Sequence, residues 1–130
     1  MTPDSREAVI WSIDLPGTEA AVPVLRHWAR ALADVPGLEL VASEYGTNAL
    51  WHSASGLPGG HIRAELVVGR ESIRISVKDD GPRPNPGEWD AECLDEHGRG
   101  LILVQAHVDE CGEYLTPDGK HVVWALLVRG

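Results

Sequence analysis

Two stretches of strict alternation, separated by a short polar link, constrain this chain more than anything else in it. In residues 62–68 the apolar Ile62, Ala64, Leu66 and Val68 alternate with Arg63 and Glu65, and in residues 73–78 Ile73, Ile75 and Val77 alternate with Arg74, Ser76 and Lys78. A period of two puts each apolar set on one side of a strand, and the Gly69-Arg70-Glu71-Ser72 link predicts a hairpin. The chain must therefore build a sheet with one face turned to a core, and something else must cover that face.

The cover is legible upstream. Val22, Leu25, Ala29, Leu32 and Ala33 fall near helical spacing in residues 20–33, with Pro23 acceptable only in a first turn and Pro36-Gly37 as the stop. A second helix is expected over residues 38–53, with Leu38, Val41, Tyr45 and Ala49 as its buried stripe. Gly46 costs that helix about 1 kcal/mol relative to alanine, so either close packing or tolerance accounts for it. Residues 8–14 read as a strand with Val9, Trp11 and Ile13 on one buried side, and strands are expected at 110–115 and 121–128 around a Thr116-Pro117-Asp118-Gly119 turn. The last is apolar on both faces, the pattern of an interior strand. These elements make an α+β fold, a two-layer sandwich whose mixed, mainly antiparallel sheet carries helices on one face.

At 130 residues the chain is sized for a single domain, 1–130. Its 43% hydrophobic content argues against disorder, and a net charge of −9 with singly scattered Arg and Lys speaks against direct nucleic-acid binding. No apolar run approaches the roughly 20 residues of a membrane span. Cys93 and Cys111 belong to no metal-ligand cluster and read as reduced thiols. A cytoplasmic protein is expected.

Three segments carry chemistry. Asp79 continues the parity of Ile73, Ile75 and Val77, so its carboxylate points to the core side and needs a donor. An adenine amino group is one such donor; a backbone amide of the Asp80-Gly81 turn is another. Glu44 and Asn48 stand four apart on the second helix, with His52 one turn on. Glu44 suits proton abstraction and Asn48 can offer an amide oxygen to Mg²⁺; a solvated polar stripe is the simpler account of Glu44 and a less comfortable one for Asn48, a mediocre helix former. Gly98-Arg99-Gly100 precedes an apolar stretch read as a helix over residues 98–108, an arrangement that presents free N–H groups to phosphate or merely makes a turn. Lys120 either meets phosphate or decorates a hairpin. Between the second and third segments, residues 82–97 hold several prolines and acids with little periodicity, as binding loops do.

Taken in order, these segments resemble the GHKL ATP-binding superfamily, and within it the small bacterial anti-sigma-factor/serine-kinase-like domains. Ser43-Glu44-Tyr45-Gly46-Thr47-Asn48-Ala49 with His52 is similar to the N box, Asp79-Asp80-Gly81 with Pro82 to the G1 box, and Gly98-Arg99-Gly100-Leu101 to the G2 box. Gly119-Lys120 before Val122-Val123-Trp124 is similar to the closing strand. The resemblance implies a Bergerat fold that binds ATP with Mg²⁺: Glu44 as general base, Asn48 on the metal, Asp79 and Gly81 at adenine, and Gly98, Arg99, Gly100, Leu101 and Lys120 around the phosphates. It also implies serine phosphorylation of a STAS-type anti-anti-sigma partner, contact with a sigma factor, and a homodimer. The alternative is an ATP-binding switch that controls a partner without catalysis. Histidine-kinase modules are a poorer match, since the sequence has no phosphoacceptor-helix pattern. Two departures stand out: Tyr45-Gly46 replaces an aliphatic pair, and His121 stands where a hydroxyl residue commonly follows Gly-Lys.

Overall fold

The computed structural model describes residues 8–82 and 104–129. Five strands, β1 (Val9–Pro16), β2 (His61–Val68), β3 (Ser72–Asp79), β4 (Glu110–Leu115) and β5 (His121–Val128), form one sheet in the order β1-β2-β3-β5-β4. Every pairing among the described residues is antiparallel. Two helices, α1 (Ala21–Leu32) and α2 (Leu38–His52), lie on one face, followed by a 3₁₀ turn at Ala54–Gly56. This is the expected two-layer α+β sandwich. No helix among the described residues is long and apolar enough to cross a membrane.

The core sits between the helices and the inner sheet face. Ala64, Leu66, Ile73, Ile75, Val77, Val123, Ala125 and Leu127 meet Leu25, Ala29, Leu38, Val41, Tyr45 and Ala49 there, all buried. The period-two reading of β2 and β3 therefore holds residue by residue, and β5 is the interior strand expected, between β3 and β4, with Val123, Ala125 and Leu127 buried on the core side and Val122 and Leu126 on the other. The hairpin closes with the Gly69 N–H donating to the Ser72 carbonyl at 2.9 Å. Pro23 falls in the first turn of α1, where its missing N–H costs nothing. Gly46 is explained by packing: a Cβ there would come within 2.9 Å of Leu25 Cδ1, so the glycine lets α1 approach α2.

β1 departs from expectation. It is an edge strand, and Val9 and Trp11 remain 52% and 45% exposed, so only Ile13 and Leu15 of its inner side pack on the core. The helices do not reach that corner of the sheet, and alternation alone cannot say how far a cover extends.

Candidate functional site

The site is assembled where the C-terminal end of α2 meets the end of β3. At Ser53 the helix stops: its hydroxyl donates back to the Ala49 carbonyl at 2.5 Å and accepts the Ser55 N–H at 3.0 Å. The following turn is then fastened to the corner after β3. The Ala54 N–H donates to the Gly81 carbonyl at 2.8 Å. Ser55 Oγ accepts the Asp80 N–H at 2.8 Å and donates to the His61 carbonyl at 2.6 Å. Ser55 is fully buried, so these bonds satisfy groups that water cannot reach. Glu44, Asn48 and His52, spaced four apart and each partly buried, lie on the helix that leads into this fastened turn.

Asp79 is buried, as its strand parity requires, and two donors meet it. Its Oδ1 accepts the Gly81 N–H at 2.7 Å, the turn-closing bond expected of Asp before Gly. Its Oδ2 lies 3.1 Å from His121 Nδ1, directly across the β3–β5 ladder. The other ring nitrogen, Nε2, lies 3.1 Å from Glu113 Oε2, diagonally across on β4. Both nitrogens thus face carboxylate oxygens, which a doubly protonated imidazolium satisfies and a neutral ring cannot. The Asp79 hydrogen bond, working against burial, holds the His121 pKa above its ordinary 6.5, and the charges of Asp79 and Glu113 add to it. A carboxylate oxygen accepts more than one bond, so Asp79 retains lone pairs for a further donor.

Gly81 has φ +86°, and a Cβ there would collide with the Gly119 carbonyl, so the corner closes on the Thr116–Lys120 turn only with glycine. That turn is made as expected, with the Gly119 N–H on the Thr116 carbonyl at 3.0 Å and Gly119 at φ +84°. The Thr116 hydroxyl donates to Asp118, which holds that exposed carboxyl below its usual range. Lys120 Nζ lies 3.0 Å from Asp80 Oδ1, at a cleft lined also by Asp14, His61, Arg63 and Lys78. Burial pushes the Asp80 carboxyl up, but the His61 N–H and Lys120 together hold it below its ordinary value. Lys120 thus supports the G1 corner in this structure.

A second cleft of about 220 Å³ opens on the inner side of β4 and β5, lined by Tyr45, Val104, Gln105, Cys111, Gly112, Glu113 and Val123. Tyr45 forms its back wall, donating its hydroxyl to the Trp124 carbonyl at 3.0 Å. Burial and the nearby Cys111 and Glu113 push the Tyr45 phenol well up, so it stays neutral. Gly98, Arg99, Gly100 and Leu101, together with the 82–97 loop beyond Pro82, lie outside the described residues. Among the described residues no group of three or more His, Cys, Asp or Glu side chains could hold a metal by itself.

The structure thus fastens the segment after α2 to the corner that holds Asp79 and Gly81, with Glu44 and Asn48 upstream on that helix. Sequence reasoning missed Ser55 and Glu113. Ser55 carried no signal beyond being a serine after a helix; Glu113 could have been found only by knowing the β4–β5 register.

No curated protein matches the chain. The family model of the histidine kinase-like ATPase domain matches residues 15–126, from the end of β1 to within β5, and so takes in the α2 face, the Asp79 corner and His121. With most of its length matched and the ATP-binding sandwich in place, the chain belongs to the histidine kinase-like ATPase domain family.

Proposed function

We propose that this domain uses Mg-ATP to phosphorylate a serine on a STAS-type anti-anti-sigma partner, and that it acts as an anti-sigma-factor regulator. One observation carries the reading: a polar row on α2 containing Glu44 and Asn48 is fastened through Ala54 and Ser55 to the corner that holds Asp79 and Gly81. These bonds join the two elements that carry the side chains, so the helix and the corner are fixed to each other. The likeness of the three boxes to the small anti-sigma kinases supports the finer assignment.

In this reading the adenine amino group donates to Asp79, and Asn48 offers its amide oxygen to Mg²⁺. When bound, the ion would supply charge neutralisation at the phosphates. The partner's serine oxygen attacks the γ-phosphorus as the bond to the β-phosphate oxygen breaks. Glu44 receives the hydroxyl proton, and ADP leaves. Such a transfer depends on positioning and charge neutralisation more than on covalent help.

The test is transfer of γ-labelled phosphate from Mg-ATP to a purified STAS protein, with calorimetric nucleotide binding measured in parallel. Asp79→Asn should weaken binding, whereas Glu44→Ala should leave it and slow transfer about 10²- to 10⁴-fold. Nucleotide binding without transfer to any STAS partner would overturn the kinase reading. If partner control survived Glu44→Ala intact, the domain would be an ATP-dependent binding switch instead.

A further inference from the structure

The triad Glu113–His121–Asp79 is unlike anything the three boxes require. It joins three strands, β4, β5 and β3, through one imidazole, and it ends on the carboxylate assigned to the base. Its members differ sharply in exposure: the Asp79 side chain is 8% exposed, His121 27% and Glu113 60%. A planar base stacked over this corner would remove what water remains at the inner end, while Glu113 stays wet.

We propose that His121 is a positioning residue for the nucleobase: held between Asp79 and Glu113, its imidazolium offsets the charge of the Asp79 carboxylate when a base covers it, so that nucleotide binding takes up a proton at His121. The inference rests on the ATP-binding reading of the Asp79 corner. A carboxylate buried beside a neutral imidazole keeps a full uncompensated charge, whereas beside an imidazolium the pair is neutral, and burial favours the neutral pair. Covering the site therefore favours the protonated ring, and by linkage the protonated protein binds the nucleotide more tightly.

Among the described residues, the charged groups bearing on the ring are Asp79 from β3 and Glu113 from β4. The neighbouring Lys120 of the β5 hairpin is engaged by Asp80, and α2 contributes Tyr45, which is neutral and bonded to the Trp124 carbonyl. When His121 loses its proton, the remaining N–H stays on Asp79, because a buried acceptor left without a donor costs more than a wet one. Glu113 is then released into solvent. Both ring donors are engaged in the protonated state, so the corner offers the base only the free lone pairs of Asp79. It therefore selects bases that present an amino group.

The experiment is calorimetry of Mg-ATP binding to the full chain between about pH 5.5 and about pH 8.5, bracketing an ordinary imidazole, in buffers of different ionisation enthalpy. His121→Asn, which keeps a donor toward Asp79 without the charge, is the reference variant. The nucleotide's own phosphate titration cancels in the ratio of the two proteins. The expected result is a wild-type affinity that falls about three- to tenfold relative to His121→Asn as pH rises across this range, with proton uptake on binding greatest between the free and bound His121 midpoints and vanishing well below both. Glu113→Gln, on an exposed side chain, should shift the midpoint to lower pH and serves if His121→Asn does not fold. Parallel profiles for wild type and His121→Asn, or a midpoint unmoved by Glu113→Gln, would overturn the proposal while leaving ATP binding intact. Absence of nucleotide binding by the wild type at every pH would overturn the ATP-binding reading, and this proposal with it.

Discussion

Ile73, Ile75, Val77 and Asp79 share one face of β3, yet the two ends of that row behave differently. The first three belong to the apolar core cluster together with residues of α1 and α2. Asp79, one step further, is nearly as buried but is surrounded by the Gly81 N–H, the His121 ring and the end of α2. The apolar half gains stability from removing surface from water, which needs good fit and no particular partner. The polar end gains little net stability and depends on each donor being in place, since a missing one leaves a buried group unsatisfied. Within one strand, the first half makes the sheet fold and the second builds the polar corner proposed to bind.

That contrast can be broken at either end. Ile75→Ala, at a fully buried position, should cost about 2–5 kcal/mol in urea unfolding through cavity formation, the largest effect expected here. The fraction still folded should bind nucleotide normally, and a parallel loss of affinity would show that the two halves are coupled. Ser55→Ala removes two hydrogen bonds and strands the Asp80 N–H, so it should cost about 1–3 kcal/mol. Unlike Ile75→Ala, it should also weaken nucleotide binding, because it unfastens α2 from the Asp79 corner. An unchanged affinity would mean that the Ala54–Gly81 bond holds the corner alone.

The smallest effect is electrostatic. The His121 pKa is raised in the folded protein, so its contribution to stability is complete below the ordinary 6.5 and is lost as pH rises through the folded value. Asp80 has the opposite sign. Its pKa is lowered, so its contribution is present above the ordinary 3.8 and is lost as pH falls through the folded value. Urea midpoints measured against pH should therefore decline on the alkaline side in the wild type and flatten in His121→Asn. A decline that persists in the variant would assign it to another group.

Much of the architecture was readable in advance because it rests on local periodicity. The alternation of β2 and β3, the two-faced apolar run of β5, the stripe of α2 and the Thr116–Gly119 turn all appear where the pattern put them. β1 shows where such reading stops. Its alternation is as good as that of β2, but Val9 and Trp11 stay exposed because burial depends on what lies opposite. Part of the site was legible for the same reason. Asp79 was marked by parity and Glu44 and Asn48 by helical spacing, whereas Ser55 and Glu113 were invisible because their partners are remote.

His121 shows the boundary most clearly. From the chain it is a histidine after Gly-Lys, a departure with no stated consequence. In the fold it stands opposite Asp79, 42 residues away, and diagonal to Glu113 on the other side. Spacing along the chain settles which side of a strand or helix a residue occupies, because backbone geometry repeats every few residues. Strand order and register settle which residues face one another across a ladder, and these are set by how the whole apolar face is covered. The sandwich and its candidate carboxylate follow from the first; the imidazole held between two acids follows only from the second.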